Sequence, residues 1–546
     1  MKTRTRYCRL VAFAALLGAG AGTAACSSTT LGGSDDLGTV DLAMPFMGPY
    51  PDLPAAPIGA GGIQGSQVAD IASAFAQAQS SPSGGPCMTE PSMGALFPRN
   101  FTPPLFEWKG GANQNIYELR LHVDNQVNDL VVYTDKTTFT LSDDMWQSLA
   151  NHSQDHDIQV TIRGGQLSAG QLTGGAFTGT TGNIHIAPVS ALGSIVYWWI
   201  VNATQSTGLK GFRIGDKIVR DVMTPASISA AGKGTACIGC HASSPDGSLA
   251  FFTRGDPRWA TDARLVNGSS GAASQSQITT NAASNLARTQ QTFTILSPAH
   301  YSANDSVVMT LMPNGPSGRW ELNWTDLHAT AGGTGILPRT GDNNGAAAPT
   351  WSHDGNTIIY SSGTDIIDGR LSNGVSDLWS VPYNNHNGGA AQALPGVNSP
   401  NSSQYYPTYS PGDTFVSFNR VPRGNGMYDA APAEIWIAPG KGGTPTRLAA
   451  NDPPACTGQK SPGLTNSWAR WSPSATTHKG KHYYWVVFSS KRRLGNPQLY
   501  LTAVVTTDGI NGEVLESTYP AIYIPTQTPD QNNHTPAWDE FQIPIG

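Results

Sequence analysis

The sequence predicts an all-β chain, a small β-sandwich followed by a six-bladed β-propeller. Three observations carry this expectation. Only 13% of the 546 residues are charged while glycine alone contributes 61, a composition suited to short strands and many turns rather than to helices. Strand-like runs separated by Gly or Asn turns occupy residues 88 to about 200. From His241 onward a unit recurs six times at a spacing of about 40–60 residues, the period of propeller blades. At roughly 150 residues per domain, the length suggests two to four domains. The net charge of −6 and a pI near 6.0 leave no basic stripe, which argues against a nucleic-acid partner.

Residues 1–25 read as an export signal. Arg4, Arg6 and Arg9 form a positive start, Leu10 to Leu17 a short apolar core, and small residues continue to Ala25. The core is too short to span a bilayer. Thr23-Ala24-Ala25-Cys26 resembles the lipobox of bacterial lipoproteins, in which the cysteine is lipidated; Thr23 departs from the usual Leu. The resemblance implies lipidation of Cys26 and a membrane anchor, and Ser27 in place of Asp implies sorting to the outer membrane. An ordinary signal-peptidase cut after Ala25 is the alternative. Residues 26–86, rich in Gly, Pro, Ala and Ser, are expected to be a flexible tether with one short helical stretch near Val68 to Gln79.

Residues 87–200 form the expected sandwich. Its strands are Leu105–Trp108, Tyr117–Val123, Leu130–Thr134, Thr137–Leu141, Ile158–Arg163, Asn183–Ile186 and Ser194–Val201, evenly spaced between turns. The pattern resembles a fibronectin type III-like domain, with Leu130-Val-Val-Tyr133-Thr and Ile195-Val-Tyr197-Trp198-Trp199 as paired strands.

Residues 201–546 carry the repeat. Units start at His241-Ala-Ser-Ser-Pro-Asp-Gly, His300-Tyr-Ser-Ala-Asn-Asp, Pro349-Thr-Trp-Ser-His-Asp-Gly, Pro407-Thr-Tyr-Ser-Pro-Gly-Asp, Ala469-Arg-Trp-Ser-Pro and Pro536-Ala-Trp-Asp. A second strand follows in several, as in Asp377-Leu-Trp-Ser-Val and Glu434-Ile-Trp-Ile-Ala. This repeat resembles the WD-like blades of the TolB family, with residues 349–360 matching well and the unit at His300 poorly. Pro536 to Ile545 supplies only inner strands, and Gly211-Phe-Arg-Ile with Lys217-Ile-Val-Arg-Asp-Val lacks them, so joining the two would complete a blade and remove an exposed edge.

Cys237-Ile238-Gly239-Cys240-His241 is the attachment signature of a c-type haem. Cys237 and Cys240 would form the two thioether bonds to one covalent haem c, and His241 would be the proximal ligand of the iron. A thioredoxin-like pair, a zinc site needing one more ligand, and a Cys237–Cys240 disulfide are the alternatives. The sequence resembles haem-bearing propellers, in which a blade loop carries the haem, more than small helical cytochromes. His241 aligns with Pro349 at the start of an innermost strand, and His534 lies two residues before Pro536 in the neighbouring blade of a closed ring. His534 is therefore the candidate distal ligand. Met309 and Met312 are alternatives, Met223 and Met427 weaker ones, and a five-coordinate iron is a further option.

Cys8 leaves with the signal, Cys26 is lipidated and Cys237 and Cys240 are assigned to haem, which leaves Cys87 and Cys456. In an oxidising compartment these are expected to pair, which would stabilise the fold by about 3–5 kcal/mol in the chain-entropy model; two separate thiols are the alternative. Asp342 and Asp365 to Asp368 lack a complete Ca²⁺ spacing. No nucleophile elbow, zinc helix or phosphate loop is present, and Trp351, Trp379, Trp436 and Trp538 recur at blade positions as core. The sequence thus points to an envelope-anchored electron-transfer protein whose redox partner it does not name. A TolB-like scaffold binding protein or peptidoglycan-linked partners, and a haem oxidoreductase acting on a small substrate, are the rival readings.

Overall fold

The computed structural model describes residues 48–201, 203–204, 206–229, 238–255, 259–267, 270–288, 290–314, 318–510 and 512–543. The export signal, Cys26 and Cys237 lie outside these residues. The described chain is all-β with short helices, and its described residues form one compact unit. Among the described residues no helix is long and apolar enough to cross a membrane.

Two sheets face each other in residues 58–186. Cys87–Glu90, Leu105–Lys109 and Thr138–Thr140 make an antiparallel three-stranded sheet. The larger sheet has the order Leu130–Thr134, Ile116–His122, Ile158–Ser168, Gln171–Ile186, all antiparallel. Alternation sets the faces: Ile158, Val160 and Ile162 are buried while Gln159 is exposed, and they pack with Phe106, Trp108, Leu119 and Leu121. Helix Asp143–His152, capped by the Ser142 hydroxyl on the Met145 amide, closes one end. Its Trp146 is buried and donates from Nε1 to the Phe101 carbonyl at 2.7 Å.

Two sequence expectations change here. Residues 48–86 are not a loose tether: Ile58–Ala60 and Ser80–Ser81 add parallel edge strands to the larger sheet. Between them helix Gln67–Gln77 buries Ile71 and Phe75, one turn apart, with Phe75 against Tyr133. This helix coincides with the stretch expected near Val68 to Gln79, whereas Gly and Pro punctuation masked the two edge strands. The second change concerns Ser194–Val201, expected as the last sandwich strand. It pairs instead with Asn532–Asp539 and joins neither of the two facing sheets.

Six further sheets follow. Their leading strands are Ile238–Ser243 (sheet I), Thr292–Tyr301 (II), Gly345–Trp351 (III), Ser402–Tyr409 (IV), Ser467–Trp471 (V) and Asn532–Asp539 (VI). Sheets I to V continue outward in chain order as antiparallel meanders. Sheet VI is completed by upstream strands Ser194–Val201, Ser206–Arg213 and Arg220–Met223. The leading strands touch in a cycle, I on II, II on III, III on IV, IV on V, V on VI and VI on I. The last contact is tight. Gly247, with φ +72°, lies against the C-terminal segment, and a Cβ there would stand 1.8 Å from the Glu540 carbonyl oxygen. The repeat unit expected at His300 begins earlier, with Thr292–Tyr301, because an insertion separates Ser297-Pro298 from the turn at Ser302 to Asp305.

The two facing sheets and sheets V and VI share one core, in which Trp485, Val487, Leu499, Leu501 and Trp538 pack with Trp146 and Ile184. Cys87 and Cys456 form a disulfide across this junction, closing 369 residues. Arg493 clasps Glu107 there with two hydrogen bonds of 3.0 and 2.9 Å. A cavity of about 230 Å³ beside the bridge is lined by Glu90, Glu107, Arg492 and Arg493 among others. Burial raises the Glu90 carboxyl to about 8, against the opposing charge of Arg492.

Two predictions follow from this junction. Cys87→Ser or Cys456→Ser lowers stability by about 3–5 kcal/mol, read as a drop in Tm that reducing agent reproduces in the parent and not in the variants. Because the folded state holds a proton on Glu90 that the unfolded chain releases near 4.5, stability falls as pH rises from about 4.5 to 8. Glu90→Gln flattens that slope in a Tm-against-pH series; an unchanged slope would assign it to other groups.

Candidate functional site

Each of the six leading strands carries one extra residue. The ladder shifts register between Ile238 and His241, Thr292 and Ile295, Ala347 and Thr350, Tyr405 and Thr408, Ser467 and Arg470, and His534 and Ala537. These are β-bulges, which bend a strand and re-aim its side chains. In five of them the first bulge residue is left-handed: Phe293 (φ 54°), Ala348 (40°), Tyr406 (53°), Trp468 (55°) and Thr535 (46°). None is glycine, and a side chain held there costs about 1–3 kcal/mol.

Sheet I departs from the pattern at the haem signature. The amides of Ser244 and Ser352 close equivalent turns onto Leu249 and Thr357. Counting back from those serines, His241 falls opposite Pro349 and Cys240 opposite the left-handed Ala348. Yet the bulge of sheet I is Gly239-Cys240, one residue earlier, and neither residue is left-handed.

The bulges converge on a cavity of about 240 Å³, slightly below the roughly 300–1,000 Å³ of small-molecule clefts. Cys240 and His241 line it, together with rings from five further places: Trp198, Trp259, Phe293, Tyr406 with Trp468, and Tyr428. Tyr428, 44% exposed, stands at the rim. Asp368, Arg370 and Arg470 supply the charges. Asp368 and Arg370 come from the small hairpin Ile366–Ile367 and Arg370–Leu371, which projects from sheet III. The Arg370 guanidinium lies over the Trp259 and Tyr428 rings at 5.9 and 5.3 Å.

His241 bridges sheets I and VI. Its Nε2 is 2.9 Å from the Val196 carbonyl oxygen. A carbonyl only accepts, so Nε2 carries the proton and Nδ1 the lone pair. Nδ1 is buried and has no hydrogen-bond partner. Burial lowers the imidazole to about 4, the Arg470 charge reinforcing this and the Val196 bond opposing it, so the ring is neutral at pH 7.

His534 lies close enough for His241 to influence its charge, but it does not line the cavity. It is 3% exposed and meets the Trp198 ring edge-on at 4.4 Å and the Trp468 ring at 4.9 Å. Both indoles are cavity walls, so the imidazole stands behind them. Burial, then the charges of Lys491 and His241, lower it to about 3, and its Nδ1 also lacks a partner. The methionines considered as ligands are elsewhere. Met309, Met223 and Met427 are fully buried in three separate core clusters, and Met312 continues a ladder opposite Glu321. Asp342 accepts from Tyr360 at 2.8 Å and from Arg339 in a buried network. Among the described residues no three His, Cys, Asp or Glu side chains converge as a metal cluster.

Sequence reasoning missed Arg470, Arg370 and the bulges. The signal for the bulges was present, since Pro349, Pro407 and Pro536 each follow a left-handed residue. No family model and no curated protein matches this chain. Among solved structures, an α-L-arabinanase of Penicillium chrysogenum complexed with arabinobiose aligns at 11% identity and a TM-score of 0.25. That alignment covers 42% of this chain and 66%, just under two thirds, of the other.

Thr535 tests whether the bulges hold strain. It is β-branched, left-handed, and its buried hydroxyl lacks a partner. Thr535→Gly therefore raises stability by about 1–2 kcal/mol in urea unfolding. A loss of stability would mean that the bulge is relaxed.

Proposed function

We propose that this chain is a cell-envelope c-type haem protein that passes single electrons. In this reading residues 87–193 are a fibronectin-like sandwich and residues 194–543 a six-bladed propeller. The cyclic contact of the six leading strands supports the propeller. The three-stranded and four-stranded antiparallel sheets, packed face to face, support the sandwich. Export, the lipid anchor at Cys26 and placement at the outer membrane rest on the sequence of residues 1–27 alone.

One observation carries the haem reading: Cys240 and His241 of the signature line an aromatic cavity at which all six leading strands converge. The fit can be judged on the donor set. A neutral imidazole with an unpartnered buried nitrogen is a competent iron ligand. The rings of Trp198, Trp259 and Tyr406 offer faces to a flat macrocycle, and Arg370 and Arg470 offer cations to its carboxylates. Cys237 and Cys240 would hold the haem covalently, and His241 would bind its iron. Bound haem would supply a one-electron couple, whose potential depends on the axial ligands and on burial. The chain's own contribution is to keep His241 neutral, to exclude water with the tryptophan walls and to fix the ring of His241 through Val196.

That same Val196 bond favours a second reading. It engages Nε2, and it joins sheets I and VI as a structural tie. In a TolB-like scaffold the histidine would serve only that purpose, and the envelope partner would be a protein.

Expression of the mature chain in a periplasm with active cytochrome c maturation separates the readings. A full-length band that stains for covalent haem on a denaturing gel, lost in Cys240→Ala, is expected. An unstained band beside a stained control cytochrome would overturn the haem reading in favour of the scaffold.

A further inference from the structure

Covalent attachment at Cys237 and Cys240 does not account for the two guanidinium groups of the cavity. Arg470 lies two residues before Ser472, whose amide closes the turn of sheet V. The same position in the other sheets holds Ala242, Ile295, Thr350, Thr408 and Ala537, none of them charged. Among the described residues Arg470 has no carboxylate within ion-pair distance, and its one hydrogen bond runs from Nη1 to the Ala469 carbonyl at 3.5 Å. Burial holds its pKa below the ordinary guanidinium range, with Asp539 opposing from farther off.

Arg370 likewise forms no ion pair among the described residues and rests on the Trp259 and Tyr428 rings. Asp368 is the one acid in the lining against the two guanidinium groups, so the fixed charges of the walls sum to a net positive. Both guanidinium groups are half-buried, and taking a cation part of the way out of water without an ion-pair partner is costly to the fold. A guanidinium fork matches a carboxylate through two parallel hydrogen bonds.

We infer that the cavity receives a flat apolar ligand bearing a carboxylate, with Arg470 and Arg370 taking the acid group and the tryptophan and tyrosine rings holding the body. This rests on the cavity being a ligand site, as in the reading above, and not on the thioether bonds. Two sources share the chemistry, the propionates of a porphyrin and a free aromatic carboxylate.

The test uses the full mature chain exported by a host lacking cytochrome c maturation. Quenching of tryptophan fluorescence is titrated with two matched pairs, 1-pyrenebutyrate against 1-pyrenebutanol, and iron protoporphyrin IX against its dimethyl ester. The acid is expected to bind about ten- to a hundredfold more tightly than its neutral partner. Arg470→Gln and Arg370→Gln should each shrink that ratio. Discrimination in the porphyrin pair assigns the source to propionates; discrimination in the pyrene pair alone assigns it to a smaller free acid. Equal binding within both pairs, no binding of any probe, or an undiminished ratio in both variants overturns the inference. A haem-stained band without discrimination would leave the haem reading standing while this one fails, and the converse result would separate them the other way.

Discussion

The ladder between Asn532–Asp539 and Ser194–Val201 is the contact on which the rest of the structure depends. Without it, two strands would expose unpaired edges, each a template for wrong pairing. With it, the C-terminal strand becomes the leading strand of sheet VI and delivers His534, Thr535 and Pro536 to the centre. The same ladder includes Val196, whose carbonyl receives His241 from sheet I. Trp538 then seals the junction, donating from Nε1 to the Leu192 carbonyl at 2.8 Å and packing into the core shared with the two facing sheets of residues 58–186. Closure, site geometry and interdomain packing are therefore consequences of one register.

The bulges show how the chain makes a cavity where regular strands would fill the space. Five left-handed non-glycine residues, three of them aromatic, are held in place by laddered sheets. Holding strain needs a rigid surround, and buried rows such as Ser402–Tyr409 and Gly345–Trp351 supply it. Sheet I lacks the left-handed residue and carries the Cys-x-x-Cys-His run instead. The departure from the sixfold pattern and the chemical signature fall on the same two residues, Cys240 and His241.

Much of this was legible in the sequence. The Ser-x-Asp-Gly turns at Ser244 and Ser352, the looser Ser-Pro turns at Ser410 and Ser472 and the alternating strands beside them located most of the sheets, because turn chemistry and a period of two are local properties. The alignment of His241 with Pro349 also holds when counted from the turns. Three features resisted. In residues 48–86 the helix near Val68 to Gln79 was expected, but Gly and Pro masked the edge strands Ile58–Ala60 and Ser80–Ser81 that bind this segment to the larger sheet. Ser194–Val201 reads equally well in a sandwich or in a blade, since a strand's partner is a tertiary matter. Arg470 gave no signal because a lone arginine in a strand is ordinarily a surface residue, and only convergence of the six strands turns it inward. Seeing His534 behind Trp198 rather than beside His241 likewise required side-chain packing that no spacing encodes.

The bond from Trp538 to Leu192 spans 346 residues, which has a temporal meaning. A ribosome releases Ser194–Val201 long before its partner exists, so sheet VI can form only after the strands of sheets I to V have been made. Contacts this distant in sequence are slow to find. During that interval the two facing sheets and sheets I to V can assemble, but the apolar strand Ser194-Ile-Val-Tyr-Trp-Trp-Ile-Val201 waits unpaired. Any cofactor destined for the centre meets its widest opening in the same interval, before the final strand slides in and shuts the wall behind it.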